Sequence, residues 1–281
     1  MRPFMNSPGS HAPDAVMIET DRKESRLEHW DDFWQQKQSV NEIYSNADRI
    51  LRNLTRITSL DGKRVLEIGA GTGRDSLPLA KHGALVTQLD YSQNALALLK
   101  RLADAEKIPV TIVGGDTFSL PFRKHTFDIV FHQGLLEHVR PAQAKDLLRE
   151  NIRVLKPGGL LLVDVPQRYH FYTVAKHILM ALNRWFAGWE RSFSIFELRE
   201  TMRNEGLTVV HSYGEWMVPS FPYRVTREIM KSIGITLPLY PNLLEPLSRL
   251  RSALRRSLLN TPLPLWTGIS IGVIARKSGP R

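Results

Sequence analysis

The stretch that most restricts this chain is Val65-Leu66-Glu67-Ile68-Gly69-Ala70-Gly71-Thr72-Gly73. Val65, Leu66 and Ile68 suit a buried parallel strand. Three glycines at alternate positions then remove every Cβ from one side of the following turn, so something must come close to that backbone. A glycine turn from a strand into a helix exposes backbone N–H groups and a positive helix end, which suits a polar or anionic cofactor group.

The dinucleotide fingerprint G-x-G-x-x-G does not fit, because Gly73 follows Gly71 by two positions rather than three. Glu67 also precedes the first glycine, and a carboxylate aimed into the turn would repel a pyrophosphate. A cofactor with an amine and no phosphates reverses that objection.

The surroundings of the turn are α/β. From residue 63, short apolar runs (KRVLEI, ALVTQL, PVTIV, FDIVFH, GLLLVDV) alternate with stretches of helical spacing (DSLPLAKHG, QNALALLKRLADAEK, AQAKDLLRENIRVLK). This is the signature of a parallel sheet covered by helices. Downstream, LTVVHSY and TGISIGVIARK read as two more strands separated by about fifty residues, too many for a hairpin. Ser194 and Glu197 form a capping box that opens a helix, which Gly206 closes.

These residues resemble the class I S-adenosylmethionine-dependent methyltransferases of the small-molecule type. Their first motif is an acidic residue followed by x-G-x-G-x-G, and Glu67, Gly69, Gly71 and Gly73, with Ala70 between, match it position by position. Asp90, followed by Tyr91, ends the second strand 21 residues beyond Gly69, where the family places a carboxylate that accepts both ribose hydroxyls. Asp116 follows the third strand, where the family has an acidic residue near the adenine amine and a neighbour packed on the ring, here Thr117 or Phe118. FDIVFHQGLLEHV resembles the fourth strand and its loop, and LKPGG the turn before the fifth.

The resemblance covers residues 60 to 165 closely and the C-terminal strands loosely. It implies a seven-stranded, mostly parallel, Rossmann-like sheet with helices on both faces and an antiparallel last strand inserted before the sixth. The implied cofactor is S-adenosyl-L-methionine, held by Glu67, Gly69, Ala70, Gly71, Gly73, Asp90, Tyr91, Asp116, Thr117 and His132 at the carboxyl ends of the strands.

The domain plan that follows has a flexible tail at 1–20, an N-terminal helical lid at 21–58 and a methyltransferase domain at 59–281. Helical insertions at about 167–193 and 214–264 form a cap. Within the lid segment, Trp30, Phe33 and Trp34 fall at helical spacing, and the helix either packs on the domain or closes over a ligand. Val174, Ala175, Ile178, Leu179, Leu182, Trp185 and Phe186 share one helical face, with Lys176, Asn183 and Arg184 on the other. Leu243, Leu247, Leu250, Leu254 and Leu258 recur at spacings of three and four with arginines between them, a basic amphipathic helix suited either to docking on the core or to a membrane surface.

Methyl transfer from a sulfonium is an in-line displacement that needs no metal. Positioning is its main requirement, although an acceptor hydroxyl or amine can need a base. His138 and His170 are the candidate bases and Glu137 a carboxylate that could orient His138, against packing and helix-capping roles for the same side chains.

Formal charge is +10, and residues 207 to 281 hold ten Lys/Arg against three Glu. Nucleic acid is nonetheless disfavoured as acceptor, because the Asn/Asp-Pro-Pro-aromatic stretch of amino-methylating nucleic-acid enzymes is replaced by His132-Gln133-Gly134. The insertions favour a small apolar or lipid-like metabolite, methylated at oxygen, carbon or nitrogen. A protein that binds the cofactor as an assembly or regulatory factor, or one that performs a cyclisation, would carry the same turn. With no cysteines, no signal-peptide pattern and no apolar run of bilayer length, the expected location is cytoplasmic, with peripheral membrane contact near 243–259.

Overall fold

Each predicted apolar run becomes a strand, and each predicted crossover carries helix. The computed structural model describes residues 27–35, 48–185, 187–239 and 245–279. The elements are α1 (Leu27–Gln35), α2 (Arg49–Thr55), β1 (Arg64–Ile68), α3 (Leu77–Lys81), β2 (Leu85–Asp90), α4 (Gln93–Glu106), β3 (Thr111–Gly114), β4 (Phe127–Gln133), α5 (Pro141–Val154), β5 (Leu155–Pro166), α6 (Phe171–Ala181), α7 (Ile195–Asn204), β6 (Leu207–Glu215), α8 (Phe221–Ser232), α9 (Glu245–Leu259), α10 (Pro264–Thr267) and β7 (Ser270–Lys277). The tail expected at 1–20 and Leu243 lie outside the described residues.

The seven strands form one sheet in the order β3-β2-β1-β4-β5-β7-β6. β7 runs antiparallel to both β5 and β6, so the last strand is inserted before the sixth as the family resemblance implied. Strand order reverses beside β1, and the carboxyl ends of β1 and β4 therefore open a crevice.

Side-chain alternation divides the core between the two faces of the sheet. Leu66, Ile68, Val130, Leu161 and Val163 pack with Leu147 and Leu148 of α5 and with Leu198 and Met202 of α7. Val65, Val86, Ile129, Phe131 and Leu162 pack with Ile50 and Leu54 of α2 and Leu79 of α3. Full burial of each such side chain contributes about 1.5–3 kcal/mol. α2 is thus a core layer even though it falls within the span 21–58.

Helix ends follow local chemistry. Ser92 caps α4 by accepting from the Ala95 amide at 3.1 Å, and Ser194 caps α7 by accepting from the Glu197 amide at 3.2 Å. The Glu197 side chain does not complete the capping box. It pairs with Arg168 and Arg191 instead.

The apolar face predicted after residue 171 is turned outward, and Phe186 lies outside the described residues. Val174, Ile178 and Leu182 are exposed, whereas Lys176 and Thr173 are buried. The reason is an ion pair: the Lys176 ammonium lies 2.9 Å from Oε2 of Glu190, and that partner draws the lysine inward.

Candidate active site

The turn after β1 is built by its own backbone. The Ala70 amide donates to Leu89 at 3.0 Å and the Gly73 amide to Ala70 at 2.7 Å, folding the chain back over the end of β2. Two of the glycines have different tasks. A Cβ at Gly73 would strike the Gln88 amide and sit 2.8 Å from Leu99, so this glycine serves packing between the turn, β2 and α4. A Cβ at Gly71 would sit 2.5 Å from the Trp34 ring, so this one keeps the backbone open toward α1.

Asp90, at the end of β2, ties two turns together. Its Oδ2 accepts from the Gly71 amide at 2.9 Å and its Oδ1 from the Ser92 amide at 3.0 Å. α1 is attached beside it, because Asp31 accepts from the Ser92 hydroxyl at 2.5 Å and from the Asn94 amide at 3.1 Å. These bonds hold the Asp31 carboxyl below its ordinary range.

A cavity of about 740 Å³ opens over this turn. It brings together Glu67, Gly69, Ala70, Gly71, Asp90, Tyr91, Asp116 and Thr117 from the expected cofactor set, and His138 from the expected bases. Gly73, His132, Glu137 and His170 lie outside its walls. His132 is fully buried inside β4, with neither ring nitrogen hydrogen-bonded, and burial pushes it down to about 3. His170 caps α6 by accepting from the Tyr172 amide at 3.1 Å.

The cavity floor is an excess of buried carboxylate. Glu67 is pushed well above its ordinary range by burial and by the neighbouring charge of Asp75, and its Oε2 has no hydrogen-bond partner. Asp75 and Asp90 are raised by burial as well, against the lowering effects of Arg49 and Arg74 on Asp75 and of the Ser92 and Gly71 amides on Asp90. Such a floor attracts a cation and hydrogen-bond donors and repels phosphate. The unpartnered Glu67 oxygen and the bare Gly71 fit S-adenosylmethionine, which offers an ammonium, a sulfonium and a ribose diol.

Asp116 accepts from the Phe118 amide at 2.9 Å, turning the chain so that Thr117 and Phe118 reach the cavity. Trp30, Phe33 and Trp34 of α1 close the cavity from the opposite side. The Trp30 ring meets the His138 ring edge-on, with centroids 5.0 Å apart.

The residue that sequence reasoning missed is Glu190. It is buried, lines this cavity, and belongs to the loop after α6, where no sequence motif marked it. Its Oε1 accepts from the Trp185 indole at 2.9 Å and lies 4.0 Å from Nε2 of His138. Glu137, in the short 3-10 turn Leu136–His138, is buried with Oε2 unpartnered, and burial with the nearby Glu190 charge raises it to about 8.

A second buried network locks the sheet beneath. Arg49 of α2 lies 3.4 Å from Asp164 of β5 and donates to the Ser270 hydroxyl at 2.6 Å, while the Tyr213 hydroxyl donates to Asp164 at 2.8 Å. Glu215 is held between Arg52 and Arg255, which attaches α9 to β6.

Residues 66–163 match a family described as Methyltransferase domain. Over 188 residues the chain is 27% identical to a ubiquinone biosynthesis O-methyltransferase of Coxiella burnetii, an alignment covering 65% of this chain and 80% of that one. It is 35% identical over 159 residues to a demethylmenaquinone methyltransferase of Corynebacterium efficiens, covering 54% of this chain and 66% of the relative. Among solved structures, the magnesium protoporphyrin IX methyltransferase of Synechocystis with bound SAH shares the fold at a TM-score of 0.57 and 15% identity, covering 89% of this chain and 93% of that one.

Proposed function

Because the chain is a class I S-adenosylmethionine-dependent methyltransferase, we propose that it methylates a small amphiphilic ring compound of the quinol or phenol type at a hydroxyl oxygen, with His138 taking the hydroxyl proton. One observation carries this reading: His138 and the aromatic rings of α1 line the same cavity as the glycine turn and Asp90. The names of the two sequence relatives support a quinone-type acceptor.

When bound, S-adenosylmethionine supplies an electrophilic methyl group carried on a sulfonium. In this reading Asp90 accepts the ribose hydroxyls, Glu67 faces the cationic amine, and Thr117 and Phe118 receive the base. Trp30, Phe33 and Trp34 act as a lid that keeps water out and holds the acceptor ring in line, and such positioning is worth about 7–11 kcal/mol of barrier. The acceptor O–H would give its proton to His138 while the freed oxygen lone pair forms the new bond to the methyl carbon, and the old carbon–sulfur bond would break with its electron pair leaving on S-adenosylhomocysteine. A base at this point accelerates the step by roughly 10² to 10⁴.

A greasy acceptor has to be delivered from lipid. Leu247, Leu250 and Leu254 of α9 are exposed, with Arg249 and Arg251 beside them. This reading makes α9 the part that meets an anionic membrane surface.

The test offers purified protein and S-adenosylmethionine a panel of short-chain demethylated quinols and simple catechols, measuring S-adenosylhomocysteine release and product mass. Release that depends on the ring compound and yields an O-methyl product is expected. Tight cofactor binding with no release from any panel member would instead indicate a cofactor-binding assembly or regulatory protein, and a C-methyl product would overturn the oxygen assignment.

A further inference from the structure

We propose that Glu190 is the positioning carboxylate of His138, holding the imidazole toward the cavity and stabilising it once it has taken the acceptor's proton. The inference rests on the reading of His138 as base and adds to it a residue outside every recognised motif.

The geometry singles out Glu190. Its two oxygens are fixed separately: Oε2 by the Lys176 ammonium at 2.9 Å, Oε1 by the Trp185 indole at 2.9 Å. The second oxygen is therefore held in place 4.0 Å from Nε2 of His138. A carboxylate that only stapled α6 to the loop would be sealed inside the packing. Glu190 instead lines the cofactor cavity and also a neighbouring cavity of about 410 Å³ walled by Trp185, Trp189 and His177. Trp30 supports the His138 ring from α1, so the imidazole is confined between an aromatic edge and an anion.

The surrounding charges favour this role. Glu190 is paired with Lys176 and acts electrostatically on Glu137, on the same turn as His138, and on Tyr172 and His177 of α6. Glu190 raises both Glu137, to about 8, and Tyr172, to about 12, after burial itself. Glu137 and Tyr172 thus hold their protons more tightly than usual, and Glu190 is the carboxylate that stands 4.0 Å from the imidazole. A negative charge at 4 Å stabilises an imidazolium in a site screened from water much more than at the surface.

The role is tested without the methyl acceptor. The imidazole of His138 is titrated by NMR in protein saturated with S-adenosylhomocysteine, using ¹⁵N-histidine labelling and the His138→Gln spectrum for assignment. The expected result is a fall of about half a unit or more in the His138 midpoint on Glu190→Gln. Because Glu190→Gln strands a buried lysine and can unfold the protein, Glu190→Gln combined with Lys176→Met serves as the second variant, in which the pair is neutral and the fold is kept. Its His138 midpoint also falls, by less. An unchanged midpoint in the double variant, with S-adenosylhomocysteine still bound, would overturn the proposal. Failure of every quinol to turn over with the midpoint still shifting would refute the acceptor assignment and leave the Glu190–His138 coupling standing.

Discussion

The Gly71 amide donates to Oδ2 of Asp90 at 2.9 Å, so one bond joins the bare corner after β1 to the carboxylate that ends β2. Asp90 is thereby aimed before any cofactor arrives. Asp90→Ala removes the acceptor that the proposed reading gives to the ribose and frees the Gly71 amide. A loss of about 10- to 100-fold in S-adenosylhomocysteine affinity is expected, in keeping with about 1.5–3 kcal/mol for a hydrogen bond to a charged group. Calorimetry on wild type and variant checks it, and equal affinities would remove Asp90 from the cofactor site.

The two later glycines of the turn separate fold from site. Gly73, with φ of +64°, faces Gln88 and Leu99, so Gly73→Ala is expected to destabilise the protein by about 2–4 kcal/mol through backbone strain and overpacking. Gly71→Ala, at a φ of +54°, shares the backbone strain but meets the Trp34 ring rather than the packing under the turn, and is expected to weaken cofactor binding as well by displacing α1. Trp34→Ala in the Gly71→Ala background should recover part of that affinity. Denaturant unfolding and calorimetry on the four proteins read both effects.

Much of this was legible because the sequence states it locally. Strand runs, crossover lengths and the Glu67 to Gly73 turn specify the sheet and its carboxyl edge, and seven of the strand assignments follow from apolar pattern alone. The fate of Lys176 was not legible, since periodicity puts Val174, Ile178 and Leu182 on one face without saying which face is buried, and it is a distant partner, Glu190, that draws the lysine inward. His132 shows the converse difficulty. The family resemblance puts it at the carboxyl end of the fourth strand, facing the ligand, yet it lies within β4 and strand alternation buries its ring. The Arg49–Asp164 pair joins residues more than a hundred positions apart and carries no local signal.

Stability should fall as pH rises above about 6.5. Asp164 is raised to about 6, chiefly by burial against the opposing pull of Arg49, and Glu137 to about 8. An acid raised on folding binds more protons in the native state, so its contribution is complete below the unfolded value and is lost as pH climbs through the folded one. Melting of the ligand-free protein is expected to weaken from about pH 6.5 toward pH 8, above the range in which His132, pushed down to about 3, adds stability with rising pH, and Glu137→Gln should flatten that decline. The Glu67 carboxyl, also raised, makes cofactor binding release protons. Calorimetry in two buffers of different ionisation enthalpy measures that release, and heats identical in both would contradict it.

The exposed leucines of α9 make the last prediction. Leu250 is 66% exposed and Leu254 58%, a heavy exposure for two leucines one turn apart on a helix that Arg255 fastens to Glu215 of β6. The helix is thus rigidly presented with apolar side chains outward and arginines on its flanks, which is the arrangement that enters the headgroup boundary of an anionic bilayer. Sedimentation with vesicles containing anionic phospholipid should carry the protein down, with neutral vesicles and high salt retaining much less. Leu250→Glu with Leu254→Glu should abolish the effect without altering the melting temperature or S-adenosylhomocysteine binding, because neither side chain contributes to the core or the cavity. Turnover of a water-soluble catechol should be unchanged in that variant, while turnover of a long-chain quinol held in vesicles should fall several-fold. Equal sedimentation with both vesicle types would mean that the leucine face serves some contact other than lipid.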